Sequence, residues 1–130
     1  MKKVFLIDDD DIFVFLTKKT ILKVTTDIEV EVFSDGFQAI THLKNIYDEK
    51  ERLPDVIFLD LNMPVMDGWE FLEEYQDLYQ SFARKTELYI VSSSISPHEM
   101  ERSKNISSVA DFIIKPLVKE KFLEIIENIE

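Results

Sequence analysis

A doubly wound α/β domain is the fold this sequence predicts, with five parallel strands in the order 2-1-3-4-5 and five helices divided between the faces of the sheet. Three observations predict it. Four short runs are apolar from end to end, strand-like and helix-like segments alternate five times, and the composition supplies one core. Continuous apolar runs mark parallel strands covered on both faces, and strict alternation of strand with helix implies right-handed crossovers. With 130 residues, 45% of them hydrophobic, folding removes roughly two-thirds of the unfolded chain's surface from water. Two glycines, four prolines and no internal repeat argue against a linker, so residues 1–130 are expected to form a single domain.

The elements follow in order. Val4-Phe5-Leu6-Ile7 is the first strand, and Asp11 is expected to cap a helix whose core stripe is Ile12, Phe15, Leu16 and Leu22. Ile28 to Phe33 alternates apolar with acidic residues, as an edge strand with one wet face should. From Phe37 a second helix presents Ile40, Leu43 and Tyr47, and Pro54 halts the chain before the strand Val56-Ile57-Phe58-Leu59. Asp67 opens a helix with Trp69, Leu72 and Tyr75 on its stripe, and the strand Leu88-Tyr89-Ile90-Val91 follows. Ser96-Pro97 begins a short helix. Phe112-Ile113-Ile114 is read as another strand buried on both faces, and Leu117 to Ile129 as the last helix. Five strands fit the flavodoxin-like order, in which strands one and three flank the switch point where ligands bind.

The charge balance excludes several functions. Fifteen Lys and Arg against 26 Asp and Glu give a net charge of −11, which repels nucleic acid and anionic membrane surfaces. The absence of cysteine excludes disulfide and thiol chemistry. The apolar run after Met1-Lys2-Lys3 stops at Asp8, too short for a signal peptide, and no run reaches the roughly 20 residues that span a bilayer. A cytoplasmic protein without membrane insertion is expected.

The chemistry lies in the residues that end the central strands. The first ends in Asp8-Asp9, the third in Asp60, the fourth in Ser92 and the fifth in Lys115. The predicted topology brings all of them to one carboxyl edge. Clustered carboxylates repel one another unless a cation offsets them, and Mg²⁺ suits oxygen ligands of this kind. A carboxylate that accepts a phosphoryl group needs the same surroundings, since three equatorial oxygens carry the transition-state charge; the metal, Lys115 and the Ser92 hydroxyl can each hold one. Asp10 and Asp11 read as cap or loop residues, because Ile12 and Phe13 break the spacing of a calcium loop.

Phe5-Leu6-Ile7-Asp8-Asp9-Asp10, the string from Val56 through Asp60-Leu61-Asn62-Met63-Pro64 to Asp67-Gly68, Ile90-Val91-Ser92-Ser93 and Phe112-Ile113-Ile114-Lys115-Pro116 together resemble the response-regulator receiver family of two-component signalling. The resemblance spans essentially the whole chain and is closest to single-domain, chemotaxis-type regulators. It implies that Asp60 accepts a phosphoryl group from a phosphohistidine on a sensor histidine kinase or histidine phosphotransfer protein. It implies that Asp8 and Asp9, with Asp60 and the backbone carbonyl of Asn62, hold Mg²⁺. Ser92 and Lys115 then pair with the acyl phosphate, Lys115-Pro116 is a cis peptide, and Ser92 with Phe112 forms the switch that remodels an output face of Ser96 to Lys104, the fifth strand and the last helix. The implied protein is a phosphorelay component with no separate effector domain. It catalyses only its own phosphorylation and slow autodephosphorylation, and it signals through an unknown downstream protein.

Three other readings compete. Asp60-Leu61-Asn62 suggests an aspartate-nucleophile phosphatase of the haloacid dehalogenase type, but Asn62 lacks the acid such enzymes use. A flavodoxin-like cofactor binder lacks a phosphate loop after the first strand, and a receiver that only docks partners would not need the complete acidic set. Trp69 reads as core or staple, His42 and His98 as surface residues, and Ser93 and Ser94 as loop serines.

Overall fold

The computed structural model describes residues 1–129; Glu130, the last residue of the expected domain, lies outside them. The elements are β1 (Lys2–Ile7), α1 (Asp11–Val24), β2 (Ile28–Phe33), α2 (Gly36–Ile46), β3 (Val56–Leu59), α3 (Gly68–Tyr79), β4 (Glu87–Ser92), α4 (Pro97–Lys104), β5 (Val109–Ile114) and α5 (Lys119–Glu127). The strands form one sheet in the order β2-β1-β3-β4-β5, with every pairing parallel. This is the predicted architecture. Among the described residues no helix is long and apolar enough to cross a membrane.

Pleating sends successive strand residues to opposite faces, and each face has its own core. Phe5, Ile7, Ile57, Leu59, Leu88 and Ile90 pack with Leu43 of α2 and Phe71 and Tyr75 of α3. Val4, Leu6, Val56, Phe58 and Val91 pack with Phe13 and Ile21 of α1 and Phe122 and Ile125 of α5. Aromatic contacts knit both layers, Phe71 stacking on Tyr75 at 5.4 Å and Phe58 lying 6.1 Å from Phe122. His42 is half-buried against Phe5 and Phe33, whereas His98 is at the surface.

Three expectations are corrected. The stripe assigned to the core of α1 points to solvent: Ile12 is 73% exposed, Phe15 57%, Leu16 54% and Leu22 56%, while Phe13, Thr17 and Ile21 are buried. Both sides of this helix are apolar, so a 3.6-residue period fits either. Its cap is Asp10 rather than Asp11; the Asp10 carboxylate accepts the amides of Ile12 and Phe13 at 3.0 and 3.2 Å. Finally, β5 is not buried on both faces. It is an outer strand, and only Ile113 within it is buried.

The amino edge of the sheet is pinned by an ion pair between a buried carboxylate and a half-buried guanidinium. Asp55, 8% exposed, accepts Arg84 Nη2 at 2.9 Å and the Lys3 amide at 2.8 Å. Its own backbone bonds to Lys3 and Glu87 continue the β1-β3-β4 ladder. Arg84 also donates to the Leu53 carbonyl, and the buried Thr86 hydroxyl donates to that of Pro54 at 2.7 Å.

The loop from β3 to α3 carries strain. Val65 has φ 67°, a left-handed conformation that a β-branched residue reaches only at a cost. Its side chain is 80% exposed and packs little. Val65→Gly is therefore expected to raise stability by about 1 kcal/mol, read from the urea midpoint; an unchanged or lower midpoint would contradict it.

Candidate functional site

The site is assembled by backbone that continues the sheet past its last strand pairs. The Asp8 amide donates to the Phe33 carbonyl at 2.9 Å, that of Asp60 to Ile7 at 2.9 Å, and that of Lys115 to Ser92 at 2.8 Å. These bonds fix Asp8, Asp60, Ser92 and Lys115 on one edge, as the strand ends predicted. Gly68 holds the outgoing chain against them. Its amide donates to the Leu61 carbonyl at 2.9 Å, and a Cβ there would sit 2.5 Å from the Asp60 carbonyl oxygen. Gly36 has a similar duty, since a Cβ would meet the Met66 carbonyl oxygen at 2.8 Å. Both glycines of the chain thus serve close backbone approaches around this loop.

Asp8, Asp9 and Asp60 each bring a carboxylate oxygen within 4.8 Å of the others. Asp8 is 2% exposed and Asp60 6%, while Asp9 faces solvent. Lys115 enters from the end of β5. Its Nζ lies 3.0 Å from Asp8 Oδ2 and 3.7 Å from Asp60 Oδ1, and 4.2 Å from the centre of the Phe13 ring. Burial is the main force on the Asp60 carboxyl, and the neighbouring charges of Asp8 and Asp9 add to it against Lys115; together they push its pKa up to about 6. Burial likewise raises Asp8, against the opposing hydrogen bond from the Asp10 amide and the pull of Lys115.

The carboxylates suit a hard cation. Asp8 Oδ1 accepts the Asp10 amide at 2.9 Å, but Oδ2 is buried and receives no well-aligned hydrogen bond, its proximity to Lys115 notwithstanding. One ammonium, that of Lys115, faces three clustered carboxylates, and an all-oxygen donor set with one solvent-facing member suits Mg²⁺, which keeps part of its water shell.

Ser92 is fully buried beside this cluster, with its Oγ accepting the Ser94 amide at 3.1 Å. Asn62 is exposed, two residues beyond Asp60. The Lys115-Pro116 peptide is cis. Phe112 is half-buried on β5, in register with Ile90 and packed against the core layer beneath α2 and α3. Sequence reasoning missed Phe13 as the apolar wall under Lys115, and it missed the role of Trp69. The indole of Trp69 donates to Glu99 Oε2 at 3.3 Å and carries the Arg102 guanidinium on its face at 4.2 Å. The rarity of glycine pointed to Gly68, but nothing in the sequence pairs Trp69 with α4.

Comparison with known proteins agrees with this geometry. Residues 4–127 match the response regulator receiver domain family. The chain is 32% identical over 123 residues to the chemotaxis protein CheY of Listeria monocytogenes, covering 95% of this chain and 94% of that one. It is 31% identical over 114 residues to protein-glutamate methylesterase/protein-glutamine glutaminase 1 of Methanospirillum hungatei, of which it spans only 30%. The crystal structure of a two-component response regulator from Cytophaga hutchinsonii superposes with a TM-score of 0.86 at 29% identity, covering 98% of this chain and 95% of that one. With its parallel sheet in the order 2-1-3-4-5 and a match over nearly its whole length, the chain belongs to the response regulator receiver domain family.

Proposed function

We propose that this chain is a stand-alone response regulator that accepts a phosphoryl group on Asp60 from a phosphohistidine donor and signals by altered protein contacts. The observation that carries the reading is the position of Lys115, whose ammonium stands between the buried carboxylates of Asp8 and Asp60. A carboxylate oxygen of Asp60 attacks phosphorus, the new P–O bond forms as the P–N bond breaks, and the imidazole nitrogen keeps the electron pair. Lys115 offsets charge on one phosphoryl oxygen and the Ser92 hydroxyl donates to another, contributions of the kind that dominate phosphoryl transfer. Asp8, Asp9, Asp60 and the Asn62 carbonyl would hold Mg²⁺, which when bound supplies further neutralisation of those oxygens. The match over 94% of a CheY supports the receiver reading.

The exposed α1 stripe supports a donor that is itself a protein. Phe15 and Leu16 project from the helix that starts beside Asp8 and Asp9, and Lys19 folds over the Phe15 ring at 4.9 Å. An apolar strip edged by lysines fits a donor protein that presents an apolar surface rimmed with acidic side chains.

Incubation with acetyl phosphate and Mg²⁺, followed by intact mass, tests the acceptor. Wild type is expected to gain one phosphoryl group and Asp60→Ala none. No gain in wild type, or the same gain in the variant, overturns the assignment. Phe15→Ser is expected to leave that reaction unchanged while slowing transfer from a phosphorylated phosphotransfer domain by about tenfold or more; equal rates with both donors would remove the docking role of α1.

A further inference from the structure

Helix α4 has a weak hold on the rest of the protein. It is eight residues long, and Ser103 is the one residue it buries. Two chains of contacts bind it to the candidate site, and they meet at one residue. The first runs through the loop after β4. Ser92 Oγ accepts the Ser94 amide at 3.1 Å, Ser94 Oγ accepts the Ser96 amide at 3.2 Å, and Ser96 Oγ, the cap of α4, accepts the Glu99 amide at 3.4 Å. Three hydroxyls in succession thus link Ser92 to the first turn of α4.

The second chain starts at Asp60. Its carbonyl abuts Gly68, where no side chain fits, and Gly68 is bonded to Leu61. The next residue, Trp69, reaches across to α4, donating to Glu99 Oε2 at 3.3 Å and carrying Arg102 on its ring face. Glu99 is therefore held through its amide by the serine chain and through its carboxylate by the indole. A short helix with little buried area, tied by a few polar contacts, belongs to the low-stability end of a structure.

We propose that Trp69, Glu99 and Arg102 form a latch that opposes phosphorylation by holding α4 docked on α3, so that release of α4 and occupation of the site by a phosphoryl group favour one another. This rests on the acceptor reading above. A phosphoryl group draws the Ser92 hydroxyl toward Asp60 and away from the Ser94 amide, which loosens the serine chain at its root. Beside its packing on β5, the latch is then the remaining polar tie of α4 to the segment that follows Asp60, and by linkage a change that weakens it strengthens binding at the site. The three residues position α4 and touch no reacting atom.

The sign of the linkage provides the test. Beryllofluoride with Mg²⁺ serves as a stable mimic of the acyl phosphate, its affinity read by calorimetry on the full chain. Arg102 is exposed, so Arg102→Ala keeps the fold while removing the stack. The variant is expected to bind about two- to five-fold more tightly than wild type. Trp69 is the only tryptophan, and in the variant it is expected to be more open to acrylamide quenching before any ligand is added. Glu99→Gln retains an acceptor for the indole and is expected to stay near the wild-type affinity. Unchanged or weaker binding by Arg102→Ala, beside normal binding by wild type, overturns the latch alone. No binding by wild type overturns the acceptor reading and the coupling with it.

Discussion

Asp60→Asn is expected to make the metal-free protein more stable at pH 7, by up to about 3 kcal/mol, even as it abolishes phosphoryl uptake. Asp60 is 6% exposed, and its pKa rises on folding from 3.8 to about 6, chiefly through burial and then through Asp8. A carboxyl whose pKa rises on folding favours the folded state only while it is protonated. That advantage is complete below the unfolded value and is lost as pH climbs through about 6. Above that the folded protein bears the full penalty of an ionised, crowded carboxylate, which asparagine does not. Urea unfolding in EDTA should therefore show a gap between variant and wild type at pH 7 that closes near pH 4. A variant less stable than wild type at pH 7 would contradict the description of the cluster. Mg²⁺ should narrow the gap, because an ion bound only by the folded state stabilises it by mass action.

Asp55→Ala is expected to act in the opposite direction, lowering stability by about 2–3 kcal/mol. The change strips the half-buried Arg84 and the Lys3 amide of their buried acceptor. Arg84 keeps only its bond to the Leu53 carbonyl, and one of its buried nitrogens, Nε, already lacks a partner. The double variant Asp55→Ala/Arg84→Met removes the stranded charge as well, and it is expected to recover a large part of the loss. Chemical denaturation of the three variants decides it; a loss below about 1 kcal/mol for Asp55→Ala would show the pair to be effectively solvated.

Much of this protein could be read from its residues because topology and chemistry coincide. Val4 to Ile7 and Val56 to Leu59 are buried on both faces, as their unbroken apolarity required. Once the strand order follows, Asp8, Asp60, Ser92 and Lys115 fall on one edge without any knowledge of side-chain contacts. The misreadings share a different cause. For α1, periodicity located a stripe but could not say which of two apolar sides faces the sheet. For β5, apolarity suggested burial, whereas position at the margin of the sheet left most of it open. The Trp69 contacts with α4 bridge 30 residues of sequence for the indole bond, and no local pattern encodes such a pairing.

The two-sided apolarity of α1 also bears on how the chain finds its native state. During folding, a helix that is apolar on both sides can approach the sheet either way round, and each arrangement covers hydrocarbon. The arrangements differ in what else they trap. The native one buries Thr17 among Phe13 and Ile21, whereas the reverse would press Lys19 and Lys23 toward the sheet with Leu16. Desolvating two ammonium groups without partners costs more than exchanging Phe13 and Ile21 for the stripe of Ile12, Phe15, Leu16 and Leu22 returns. Two lysines, rather than greater greasiness on one side, thus decide which way round the first helix is laid down.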